Sequence, residues 1–131
     1  MKRTWMAFLT VGLMAGLLTT ATGTNAAAVK PDNAPLPKLL DLGANKCIPC
    51  KMMAPVLEEL KKEYAGQLEV EFIDVWKDKD AGKPYNVEII PTQIFFDASG
   101  KELYCHVGFL AKADILAKWK ELGVNLQQAK K

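Results

Sequence analysis

The chain has 131 residues, half of them apolar and 24% charged, a composition that fits a single globular domain and excludes a disordered or fibrous chain. Three cysteines are too few for a disulfide scaffold. The formal net charge is +2, with no basic patch that would argue for nucleic acid and no basic amphipathic helix that would argue for a membrane surface.

The first segment has the order of a cleavable export signal. Lys2 and Arg3 form a short basic region, Trp5 to Leu18 is apolar and uncharged, and small residues accumulate from Ala21 to Ala28. Cleavage is expected after Ala26 or Ala28, which gives a signal peptide over residues 1–26 and a periplasmic or secreted protein. A retained anchor is the alternative, but a spanning helix needs about 20 apolar residues and this run is shorter and broken by Thr and Gly. Removing Lys2 and Arg3 leaves 15 basic against 15 acidic residues, so the positive balance belongs to the targeting segment.

Residues 27–38 carry Pro31, Pro35 and Pro37 without apolar periodicity and are expected to be an extended tether. The folded domain is expected over 39–126, with a tail over 127–131. Leu39, Leu40, Asp41 and Leu42 predict a short buried strand. From Cys47 to about Ala65 the spacing of Met52, Met53, Val56, Leu57, Leu60 and Tyr64 predicts one apolar helix stripe, stopped by Gly66. Pro55 interrupts that helix and removes a backbone donor. Leu68 to Val75 predicts a second strand, and Lys77 to Asn86 a polar stretch with a short helix ending near Tyr85. Thr92 to Phe96 and Leu103 to Val107 predict a hairpin turning at Asp97 to Gly100, and Lys112 to Leu122 a last helix. Strand–helix–strand order favours parallel pairing, with the hairpin adding an antiparallel edge and helices covering both faces.

Cys47-Ile48-Pro49-Cys50 carries the chemistry. Two thiols three residues apart at a helix start can close a small disulfide ring. Unpaired N–H groups there favour a thiolate on Cys47, and Lys46 and Lys51 add positive charge. Cys47 would attack, and Cys50, deeper in the helix, would resolve the mixed disulfide. Pro49 falls in the first helical turn, where a missing N–H costs little. A zinc site would need Cys105 and His106 as further ligands, yet adjacent strand residues point to opposite faces. Haem attachment would need His where Lys51 stands. An inert crosslink this short would stabilise weakly. Cys105 is expected to be a buried, inert thiol, with a regulatory thiol as the alternative; Trp76 and Tyr85 are expected to be packing residues.

Taken together, Cys47 to Leu60, Pro55 five residues after the second cysteine, Ile90-Pro91-Thr92 and Val107-Gly108 resemble the thioredoxin family. The resemblance implies an α/β chain with a minimal thioredoxin fold: a central mixed sheet of about four strands flanked by helices, without the family's N-terminal strand and helix. It implies a cis Pro91 and substrate contacts from Ile48, Pro49, Ile90 and Pro91. Asp41, six residues before Cys47, matches the family's buried acid and would exchange a proton with Cys50. Lys46 and Gly43 replace the usual tryptophans, Ile48-Pro49 replaces Gly-Pro, and no lysine stands between Val70 and Val75. The expected activity is protein-disulfide reduction by a monomer whose redox centre is the Cys47–Cys50 disulfide, with no metal or other cofactor. Its partners would be oxidised protein thiols and a membrane thiol-electron carrier. A disulfide-forming oxidase or isomerase, a non-catalytic binding module and a thiol donor for cytochrome maturation stay open as alternatives.

Overall fold

The computed structural model describes residues 34–128, so the expected signal peptide and most of the expected tether lie outside the described residues. Strand β1 (Lys38–Gly43) is central, and Leu39, Leu40, Asp41 and Leu42 are all fully buried in it. A strand covered on both faces needs apolar residues without alternation, which explains the unbroken run. Strand β2 (Glu69–Asp74) pairs with β1 in parallel, and β3 (Thr92–Phe96) pairs with it antiparallel on the other side. Strand β4 (Glu102–Val107) closes the sheet antiparallel to β3, giving the order β2-β1-β3-β4. The expected four-stranded mixed sheet is present, with β4 as its antiparallel edge.

Helix α1 (Ile48–Glu63) buries Cys50, Met53, Leu57 and Leu60. The apolar stripe is narrower than its spacing suggests, because Met52 points outward and is 53% exposed. Pro55 lies on the exposed side. The carbonyl of Lys51, which loses its helical donor to the proline ring, is therefore placed where water can bond it. Gly66 follows the helix with φ +77°, a left-handed turn that glycine adopts without a Cβ clash.

Both helices cover the same face of the sheet. Leu39 and Phe95 pack there with Met53, Leu57 and Leu60 of α1 and with Ile115 and Trp119 of α2 (Lys112–Glu121). The expectation of helices on both faces is corrected here. Leu40, Leu42 and Ile94 on the opposite face are covered by Val75, Tyr85 and Val87, from a connection with only a single 3₁₀ turn at Lys83–Tyr85. That thinner cover corrects two further expectations. Cys105, on the edge strand with no helix over it among the described residues, is exposed rather than buried. Trp76 is 56% exposed, while Tyr85 does pack, edge-on against Phe96.

Trp119 is fully buried, with its ring centroid 4.8 Å from that of Phe95. It joins α2 to the central sheet, so truncation would leave a cavity that no neighbouring element can fill. Trp119→Ala is expected to lower unfolding free energy by about 3–5 kcal/mol in denaturant titration.

Candidate active site

Cys47 caps α1. Its backbone is extended (φ −81°, ψ 125°), and its Sγ accepts the N–H of Cys50 at 3.4 Å. Sulfur thus occupies the place where an N-cap oxygen would satisfy an orphan amide. The first turn of α1 holds no acidic residue, while Lys46 and Lys51 stand exposed beside it. The helix start and the two flanking lysines therefore favour an anionic sulfur.

Cys47 and Cys50 form a disulfide, with their Cα atoms 5.2 Å apart. Cys47 is half-buried, whereas Cys50 is only 3% exposed. Of the two sulfurs, Cys47 is therefore the one that the surface leaves accessible. Ile48, between them, is 75% exposed and presents an apolar surface beside the reactive sulfur. Pro49 is also exposed and stands in the first helical turn.

Gly43 carries the floor of the site. A Cβ at this position would lie 2.9 Å from the Phe72 ring and 3.3 Å from Cys50 Sγ. Loss of the side chain at residue 43 thus lets Phe72 close over β1 and lets α1 sit down on the strand. A groove of about 160 Å³, lined in part by Ala44, Cys50, Ala54 and Phe72, opens beside the buried sulfur.

Asp41 shares the face of β1 with Gly43 and Leu39. Gly43 lies against Cys50, and Leu39 packs with Met53 and Leu57. Asp41 is therefore held under the first turns of α1 and is fully buried. Burial pushes its carboxyl up to about 6, against the opposing pull of a hydrogen bond from Gln93. The Gln93 amide Nε2 donates to Asp41 Oδ1 at 2.7 Å.

Register brings the second expected segment to the same end of the sheet. Leu42 pairs with Thr92, and Thr92 with Val107. Pro91 and Gly108 thereby fall beside Gly43. The Ile90–Pro91 peptide is cis, as the resemblance implied, and the Pro91 carbonyl accepts the Gly108 N–H at 2.8 Å. Gly108 has φ +103°, a conformation that a side chain would strain. Ile89 and Phe109 on the flanking loops and Val107 at the end of β4 are exposed apolar residues. His106 lies one strand beyond Gln93 on the Asp41 row, and Cys105 alternates to the other face. Among the described residues, no group of three or more His, Cys, Asp or Glu could hold a metal ion.

Gln93 was not singled out from the sequence. Its signal was a carboxamide inside the apolar run Thr92-Gln93-Ile94-Phe95-Phe96, since a buried amide needs a bonding partner.

A family model described as Thioredoxin matches residues 20–121. The chain belongs to the thioredoxin family. It is 38% identical over 85 residues to "Thioredoxin C-2" of Corynebacterium nephridii, covering 65% of this chain and 78% of that protein. It is 41% identical over 81 residues to "Thioredoxin" of Acidithiobacillus ferridurans, covering 62% and 74%. Among solved structures, chloroplastic thioredoxin z superposes with a TM-score of 0.62 at 25% identity, over 70% of this chain and 81% of that one. With the Cys47–Cys50 disulfide at its helix start, this thioredoxin-family chain is a thiol–disulfide oxidoreductase.

Proposed function

We propose that the chain is an exported protein-disulfide reductase. The observation that carries this reading is the asymmetry of the sulfurs: Cys47 half-exposed on a helix N-terminus, and Cys50 buried behind it. In the reduced protein the Cys47 thiolate attacks a client disulfide, forming a mixed disulfide and releasing one client thiolate. Asp41 takes the Cys50 proton, and the Cys50 thiolate attacks Cys47 Sγ. The second client sulfur leaves, and the Cys47–Cys50 bond closes. Two electrons pass from the dithiol to the client, and the two client sulfurs end as thiols once protonated.

Ile48, Ile89 and Val107 supply exposed apolar surface around the sulfur for an extended client segment. The proline in the dipeptide and Ile90 before Pro91 favour the reducing direction. The charged, apolar and small-residue order of residues 1–28 supports export to a periplasmic or extracellular space. There a membrane thiol-electron carrier would return the disulfide to the dithiol, and the protein would act as a monomer.

Equilibration against glutathione buffers tests the direction. A potential near about −270 mV is expected for a reductase, and one near about −120 mV would assign a disulfide-forming oxidase instead.

A further inference from the structure

Asp41 and Gln93 are both fully buried, on neighbouring strands, at paired register positions. The amide donates to Oδ1, while Asp41 Oδ2 and Gln93 Oε1 have no hydrogen-bond partner among the described residues. Gln93 therefore gives its donor to the acid even though its own carbonyl oxygen is left unpaired. An amide that merely filled space would not accept that arrangement, since an unpaired buried acceptor is unfavourable.

We propose that Gln93 is a positioning residue that decides which oxygen of Asp41 carries the exchangeable proton. In a neutral carboxyl the carbonyl oxygen is the better acceptor, so an N–H donor on Oδ1 favours Oδ1 as the carbonyl and Oδ2 as the hydroxyl. The proton of the neutral acid resides on Oδ2, which is left open to exchange with Cys50 or with a water beside it. In the ionised state the same N–H bond is the single donor to the carboxylate among the described residues. The inference rests on the reading that Asp41 serves Cys50.

Few other charges bear on the pair. From α1, Cys50 packs against Gly43, two residues along β1 from Asp41, and Lys51 and Glu58 line the groove beside it. β2 presents Phe72 opposite Asp41. Asp74, farther along β2, turns its carboxylate to Asn45 and to the N–H groups of Trp76 and Lys77. On β4, His106 lies across Gln93.

The test is Gln93→Leu, a near-isosteric apolar change in an apolar strand, with folding checked by circular dichroism. Two quantities are read: the Asp41 carboxyl titration by ¹³C NMR in the oxidised protein, and the pH profile of the resolving step in single-turnover reduction of insulin. Loss of the Gln93 donor to the carboxylate is expected to raise the Asp41 midpoint by about one pH unit and to move the kinetic profile alkaline by the same amount. An unmoved or lowered midpoint overturns the proposal. A raised midpoint with an unmoved kinetic profile upholds the positioning of Asp41 and instead refutes its service to Cys50.

Discussion

Replacing Cys47 with serine is expected to abolish reduction of insulin disulfides, a loss on the order of 10³-fold or more, the scale on which removal of a nucleophile acts. The reason is geometric before it is chemical. Cys50 has 3% of its surface exposed and cannot substitute for the lost sulfur. Serine at residue 47 can still cap α1, so the fold should persist while turnover disappears. Cys50→Ser separates the two steps. Attack by Cys47 survives, resolution does not, and mixed disulfides with client proteins should accumulate as species sensitive to reducing agent on non-reducing gels. Turnover persisting in Cys47→Ser would place the nucleophile elsewhere. Mixed disulfides in Cys47→Ser but not in Cys50→Ser would reverse the assigned order of the two sulfurs.

The second large effect concerns stability against pH. Asp41 carries no exposed surface, and its folded-state midpoint is raised to about 6, against an ordinary value near 3.9 in the unfolded chain. Between these values the folded protein holds a proton that the unfolded chain releases. The associated stability is fully present below about pH 4 and is lost as pH rises through about 6, amounting to about 3 kcal/mol at neutral pH and above. Asp41→Asn mimics the neutral acid and keeps a polar partner for Gln93. In guanidinium titrations of the oxidised protein at pH 8, the variant is expected to be more stable than the native chain by about 3 kcal/mol, with the gap closing towards pH 4. Its resolving step should also slow, since asparagine cannot take the Cys50 proton. Equal stabilities at pH 8 would mean that burial does not raise the Asp41 midpoint in the folded protein.

Local features of the site were legible in the sequence, and contacts across the sheet were not. The cysteine pair at the head of a periodic helix, Pro49 in its first turn and Pro55 within it can be read from spacing alone. So can β1, because Leu39, Leu40 and Leu42 admit no alternation. Asp41 stood out as an acid inside that run. Its partner Gln93 is 52 residues away and becomes a partner only through the antiparallel register of β3. The fit of Phe72 over Gly43 likewise depends on which face each residue takes after β1 and β2 align in parallel. The exposure of Cys105 and Trp76 goes with a thin cover: among the described residues, the second face is covered by a connection whose helical part is a single 3₁₀ turn. Nothing in the periodicity of β4 records how thick that cover is.

Reduction and resolution both depend on sulfur anion forming at the head of α1. The direct measurement is the thiolate absorbance of the reduced protein near 240 nm followed against pH, with Cys47→Ser as the reference that removes the Cys47 contribution. The cap geometry and the absence of acid in the first turn predict a Cys47 midpoint at about 7 or lower. A midpoint near 8.5, that of a free cysteine, would contradict the account.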